Sequence, residues 1–183
     1  NDECINRKTG KRIRACVPMH TFGLVSDVES ILEICNRHNI ILVEDAAESI
    51  GSYLGSRHTG TFGHISAFSF NGNKTITSGG GGAIITNNEE WAKRAKHITT
   101  TAKAPHAWHF FHDEIGYNYR MPNINAAIAV AQLEQLSVII ENKRQTADFY
   151  KSEFAKNGIH FVEERLGTSS NYWLNTLLMN DKD

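Results

Sequence analysis

One lysine in this chain is framed in a way that could make it reactive. It is Lys74, in the stretch Ser66-Ala-Phe-Ser-Phe-Asn-Gly-Asn-Lys-Thr-Ile-Thr-Ser-Gly-Gly-Gly-Gly82. Ala67, Phe68 and Phe70 around Ser69 read as a short buried strand, and Ala83-Ile84-Ile85-Thr86 as a second one. Burial disfavours the charged form of an unpaired lysine, and a neutral amine attacks carbonyl carbon. The four glycines predict a backbone that passes close to a bulky planar group. A solvated lysine in a glycine-rich hairpin is the plainer alternative. A phosphate-cradling loop does not fit, because such loops place their glycines before the Lys-Ser/Thr pair. Here Lys74-Thr75 comes first.

A lysine that forms a Schiff base with pyridoxal 5'-phosphate (PLP) needs an acidic partner for the pyridinium nitrogen. Ile40-Ile41-Leu42-Val43 is a continuous apolar run of the kind found in strands buried on both faces, and it ends in Glu44-Asp45-Ala46-Ala47-Glu48-Ser49. Asp45 would then stand at the C-terminal end of a parallel strand, where open α/β sheets bind their ligands. Capping of a following helix is its alternative role. Lys74 and Asp45 together favour the cofactor.

With both stretches in view, the chain resembles the DegT/StrS family of PLP-dependent sugar aminotransferases. The matching motifs are Pro18-Met19-His20-Thr21-Phe22-Gly23, Val43 to Glu48, Ser69 to Lys74, and Gly116-Tyr117-Asn118-Tyr119-Arg120-Met121. They occur in family order over residues 15 to 136. The wording of residues 15 to 23 is most similar to the branch that aminates 4-keto-6-deoxy nucleotide sugars toward legionaminic-acid-type sugars.

The resemblance implies an α/β fold of the aspartate-aminotransferase type (fold type I), a three-layer sandwich around a mostly parallel sheet. Residues 1–136 would be part of the large PLP-binding domain. Residues 137–183 would be an interdomain helix and the beginning of a small α+β domain. Lys74 is the expected catalytic residue and cofactor attachment. Asp45, Glu48, Ser69 and Asn118 are expected to bind the cofactor, with Glu48 standing where the family often has Gln, and His20 and Arg120 to face substrate. The resemblance further implies glutamate as amino donor, a keto sugar on a nucleotide as acceptor, and a homodimer in which Asn118 completes the opposite subunit's site. A PLP-dependent sugar dehydratase, whose Schiff-base lysine is replaced by His, and a non-catalytic PLP-binding relative are the other readings. Lys74 and Asp45 weigh against both. Family members are about twice this long, so the chain reads as an internal piece.

Composition describes an ordinary globular protein. Of 183 residues, 40% are hydrophobic and 21% charged, with a formal net charge of −1, which gives no pull toward nucleic acid or an anionic membrane. No apolar run approaches a membrane span. Cys4, Cys16 and Cys35 are odd in number and lack metal-ligand spacing, which fits reduced thiols and a cytoplasmic setting.

The elements that must position these residues follow in order. Basic residues around Thr9-Gly10 suggest an exposed hairpin tip. Ser26-Asp27-Val28-Glu29 reads as a capping box opening a helix with Val28, Leu32 and Cys35 inward, and the strand to Asp45 then completes a right-handed βαβ unit. Asn88 caps a second helix. Thr99 to Ile115 has no clear period and reads as a loop. Its His106, His109 and His112 invite a metal reading, but Pro105 opposes a helix and no carboxylate or Cys repeats the spacing, so no metal is expected. Asn123 is expected to cap a long helical stretch ending at Asn157-Gly158, with strands at Ile159–Val162 and Trp173–Met179.

Overall fold

A computed structural model describes residues 3–179. In chain order the elements are β1 (Ala15–Cys16), a single 3-10 turn (Thr21–Gly23), α1 (Val28–Arg37), β2 (Ile41–Asp45), β3 (Tyr53–Leu54), β4 (Arg57–His58), β5 (Ile65–Ser69) and β6 (Gly82–Ile85). There follow α2 (Glu89–Thr99), α3 (Asn123–Glu134), α4 (Leu136–Lys156), β7 (His160–Phe161), β8 (Thr168–Ser169) and β9 (Leu177–Leu178).

The main sheet has the order β1-β2-β5-β6. The β1/β2 and β2/β5 pairs are parallel, and β5/β6 is antiparallel. This is the mostly parallel α/β sheet expected. Its apolar strand β2 alternates deeply buried with half-buried residues, and Leu42 packs with Val28, Cys35, Ile40 and Phe62 under α1. A second cluster, Ala46, Phe68, Phe70 and Ile76, lies where the α3–α4 corner (Leu136, Ile139) and Met121 cover the sheet. α3 and α4 meet at Gln135 with a 61° bend, and no single helix among the described residues is long and apolar enough to cross a membrane.

Several local expectations are corrected. Asn123 is the first residue of α3, preceded by Pro122, whose side chain has no oxygen to cap with. The capping box at α1 does not form. Asp27 takes the capping position without a side-chain hydrogen bond, because Ser26 is engaged elsewhere. Only Leu177–Leu178 of the 173–179 stretch is strand, pairing with His160–Phe161. In the glycine run a Cβ at Gly82 would overlap the Phe68 carbonyl and one at Gly81 (φ +94°) would meet Met121, while Gly80 faces open space and all three line a cavity. Asn88 does cap α2, accepting from the Trp91 N–H at 3.0 Å.

Ser26 is engaged by a buried polar network beneath β2. Its N–H and hydroxyl both lie 3.2 Å from His20 Nδ1. Because Nδ1 accepts, the ring proton is assigned to Nε2, which donates to Glu44 Oε2 at 3.0 Å. Glu44 also accepts the backbone N–H groups of Gly60, at 2.7 Å, and of Gly63. Both His20 and Glu44 are fully buried. Burial pushes the Glu44 carboxyl up, and the hydrogen bonds from His20, Gly63 and Gly60 outweigh it, leaving it below the ordinary carboxylate value.

The sign of the resulting pH dependence follows. A carboxyl whose folded value is depressed adds stability above its unfolded value and loses it as pH falls through the folded one. In denaturant unfolding, Glu44→Gln is expected to cost about 1–3 kcal/mol at pH 7, since an amide oxygen cannot satisfy all three buried donors. The gap between wild type and variant should narrow as pH drops below the ordinary value of 4.5. A gap independent of pH would show that Glu44 is not held ionised.

Candidate functional site

The C-terminal ends of β2 and β5 lie side by side, with Asp45 in register with Ala67 and Ser69 two residues farther on. The backbone at Asp45 is clamped on one edge: its N–H donates to the Pro18 carbonyl at 2.9 Å, and its carbonyl accepts the His20 N–H at 3.1 Å. The His20–Glu44 network thus sets where Asp45 stands, while successive side chains on a strand point to opposite faces. Asp45 Oδ1 accepts from the Ala47 N–H at 3.1 Å. The Ser69 hydroxyl oxygen accepts from the Asn71 N–H at 3.3 Å.

Glu48 follows in the turn after β2. Its Oε2 accepts the Phe22 N–H at 2.8 Å, and Phe22 adopts a left-handed backbone (φ 60°) to present that group. Glu48 Oε1 lies 3.5 Å from Lys74 Nζ, and both side chains are largely enclosed. On another side the Trp173 indole covers Lys74, with Nζ 4.0 Å from the ring centroid. The amine is therefore not the unpaired group expected from the sequence. It has a carboxylate and an aromatic face beside it.

Trp173 is held in turn by a polar seam centred on Asn171, which is fully buried. Asn171 Nδ2 donates its two protons to the Glu48 carbonyl at 2.9 Å and the Ile50 carbonyl at 2.8 Å, and Thr75 Oγ1 lies 3.2 Å from it. Its Oδ1 accepts the Trp173 N–H at 2.8 Å. Gly23 (φ +87°) abuts that same oxygen, and a Cβ there would overlap it. Nearby, β8 adds to the β3–β4 hairpin, and the Ser170 hydroxyl donates to the Gly23 carbonyl at 3.0 Å. The segment around 165–173 thus packs against the first part of the chain. Arg144 holds its base through a bidentate pair with Glu164 at 2.9 and 2.8 Å.

Asn171 and Trp173 escape a reading of the sequence. An Asn before two aromatics carries no periodic signal, and the left-handed turn at Tyr172 (φ 44°) that aims Trp173 is a tertiary feature. Of the expected residues, Lys74 and Glu48 are in contact, and Asp45 and Ser69 stand at the adjoining strand ends. His20, expected to face substrate, is fully enclosed with both ring nitrogens engaged. Its own backbone N–H is bonded to the Asp45 carbonyl.

Asn118 and Arg120 lie elsewhere. Both are exposed and line a cavity of about 990 Å³ bounded by β6, α2 and Met121, which Lys74, Asp45 and Glu48 do not line. Bridges from Thr100 to Asn118 and from Lys103 to His112 shape the intervening segment into a projecting arm. The His106 and His109 rings lie 4.5 Å apart, but among the described residues the three histidines form no convergent ligand set. His106 Nδ1 accepts two local backbone N–H groups, and His112 Nδ1 donates to the Thr101 carbonyl. Among the described residues the convergent set is His97, Asp113 and Glu114, and there Arg94 already takes both Glu114 oxygens.

Comparison with known proteins agrees with this geometry. The model of the DegT/DnrJ/EryC1/StrS aminotransferase family matches residues 2–183. A GDP-perosamine synthase of Vibrio cholerae is 39% identical over 183 residues, 98% of this chain and 49% of the relative. The GDP-perosamine synthase of Escherichia coli O157:H7 is 40% identical over 174 residues, 95% of this chain and 47% of its own length. The chain spans about half the length of the curated relatives it matches. Among solved structures, Helicobacter pylori PseC, an aminotransferase involved in the biosynthesis of pseudoaminic acid, superposes with a TM-score of 0.89 at 27% identity, over 97% of this chain and 47% of that one. The mostly parallel sheet, the lysine between β5 and β6 and the match along the described chain lead to one conclusion: this chain belongs to the DegT/DnrJ/EryC1/StrS aminotransferase family.

Proposed function

We propose that the chain is the lysine-bearing part of a PLP-dependent aminotransferase that moves an amino group, with glutamate as donor, onto a keto group of a nucleotide-linked sugar. The contact of Lys74 with Glu48 at the strand ends beside Asp45 is the observation that carries this reading. The donor set fits the cofactor: a primary amine for its aldehyde, a strand-end carboxylate for its ring nitrogen and a hydroxyl for its phosphate. When bound, PLP supplies an aldehyde that takes the amino group and a protonated ring that withdraws electrons.

The chain's own residues do the rest. Lys74 Nζ carries a proton to and from the reacting carbon once it is free. Glu48 Oε1, 3.5 Å away, orients that amine and is itself fixed by the Phe22 N–H. The Asp45 carboxylate holds the ring N–H proton, and the Ser69 hydroxyl donates to phosphate. Arg120 serves as a contact for an anionic group of the sugar nucleotide. Relatives named for a GDP-linked sugar support a nucleotide-bound acceptor. A free-thiol chain without a membrane-length apolar helix among the described residues supports a cytoplasmic enzyme.

Asn118 completes the site of a second copy. Its exposure in a cavity apart from Lys74 supports this arrangement, as does the projecting arm before it, where Trp108 (85% exposed) and Phe110 (83%) are open. The enzyme is accordingly a two-fold dimer with composite sites.

Three outcomes are expected of the full-length protein. Lys74→Ala abolishes amino transfer in an assay with a keto nucleotide sugar read by mass spectrometry. Turnover within tenfold of wild type, about 1.4 kcal/mol of barrier, would remove Lys74 from its role. Asp45→Asn slows the chemical step by several kcal/mol and weakens cofactor retention, and an unchanged rate with an unchanged pH profile would refute the ring-nitrogen contact. Mixing Lys74→Ala chains with Asn118→Ala chains under proven subunit exchange restores about a quarter of wild-type sites, because one heterodimer site gathers both defects. If Asn118→Ala is strongly impaired alone and mixing restores nothing, Asn118 acts within its own chain.

A further inference from the structure

Trp173 belongs to none of the three hydrophobic clusters of the described residues. Its ring is instead committed to the lysine loop. The indole Nε1–H donates to the Asn73 carbonyl at 2.7 Å, one residue before Lys74. Its backbone N–H is held by Asn171, and its carbonyl accepts from Lys143 Nζ at 3.3 Å. An indole has a single N–H, so with that donor used and the backbone tethered at both ends the ring plane has one orientation. That orientation turns its face to Lys74 Nζ.

We propose that Trp173 is a positioning residue whose indole face forms, with the Glu48 carboxylate, a berth for the free ammonium of Lys74. The inference rests on Lys74 being the cofactor-bearing lysine. During amino transfer that side chain must leave its carbon partner, carry a proton and return. A long flexible ammonium with one carboxylate partner can swing about it, whereas a ring face on another side restricts where the nitrogen rests. Proximity of this kind governs how often the amine is in line to act. Asn171 makes the berth one unit, since the same side chain binds the Glu48 carbonyl, Thr75 beside Lys74, and the Trp173 N–H.

The test uses the full-length protein. Borohydride reduction of the cofactor-loaded wild type, followed by peptide mass spectrometry, locates the attachment. A label on any residue other than Lys74 overturns the proposed function and this inference with it. Two variants then separate the ring face from the Nε1–H bond. Trp173→Phe keeps a face and drops the donor, and Trp173→Leu keeps bulk without either. In cofactor-free protein, competitive acylation with limiting acetic anhydride should label Lys74 about threefold or more faster in Trp173→Leu than in wild type, and within twofold of wild type in Trp173→Phe. Single-turnover amino transfer should fall about tenfold in Trp173→Leu with KM for the donor unchanged, and recover in Trp173→Phe. If the Leu variant does not fold, Trp173→Met takes its place with the same expected values. Attachment at Lys74 with variants that match wild type in both labelling and transfer, or a Phe variant as impaired as the Leu variant, overturns the berth and leaves the proposed function standing.

Discussion

The carboxylate of Glu44 is buried completely, and a buried anion is tolerable only if every direction around it offers a donor. That requirement draws two separated stretches to the end of β2: His20 after β1, and Gly60 and Gly63 in the turn before β5. His20 in turn takes the N–H of Ser26, so the start of α1 is tied to the same point. The glycines are needed because a Cβ at Gly63 would crowd the Leu42 carbonyl and Glu44 itself. Two strands, a helix start and a loop are thereby placed around the end of β2, where Asp45 projects.

The opposite boundary of the site is governed by an amide. Asn171 enters from the C-terminal segment and meets backbone carbonyls that no strand or helix satisfies. A neutral side chain suits this position better than a charged one, since it offers both donors and an acceptor without the cost of an unpaired charge. The bonds fix Glu48, Thr75 and Trp173 relative to one another. Lys74 is thus bracketed by groups whose places come from two buried polar centres, one at each side of the sheet end. Rigid placement of this kind is what the proton-carrying role proposed for Lys74 would require.

The described chain therefore supplies an amine, two carboxylates and a hydroxyl on one rim, and an exposed asparagine and arginine on another. The division has a physical sense. The arm that carries Asn118 exposes large aromatic residues, a surface whose removal from water would be favourable. The rim around Lys74 is enclosed by its own chain.

Much of this is legible in the order of the residues. The continuous apolar run at β2 and the apolar-polar spacing of α1 state their own burial, because period and composition are local properties. The motifs around Asp45, Lys74 and Asn118 name the family. What residue order does not state is which polar groups meet. Ser26 and Glu29 spell a capping box, yet Ser26 serves His20, because a buried imidazole nitrogen without a partner costs more than an uncapped helix end open to water. Glu44 and Asp45 are adjacent acids of the same type, and only the pleat and its surroundings make one a buried strut and leave the other at the strand end, its carboxylate on the Ala47 N–H. Asn171 and Trp173 lie about a hundred residues from Lys74, so no window of sequence contains the contact. Local pattern determined the main elements and the candidate residues, whereas the long-range satisfaction of buried polar groups, settled only on folding, decided how those residues are held.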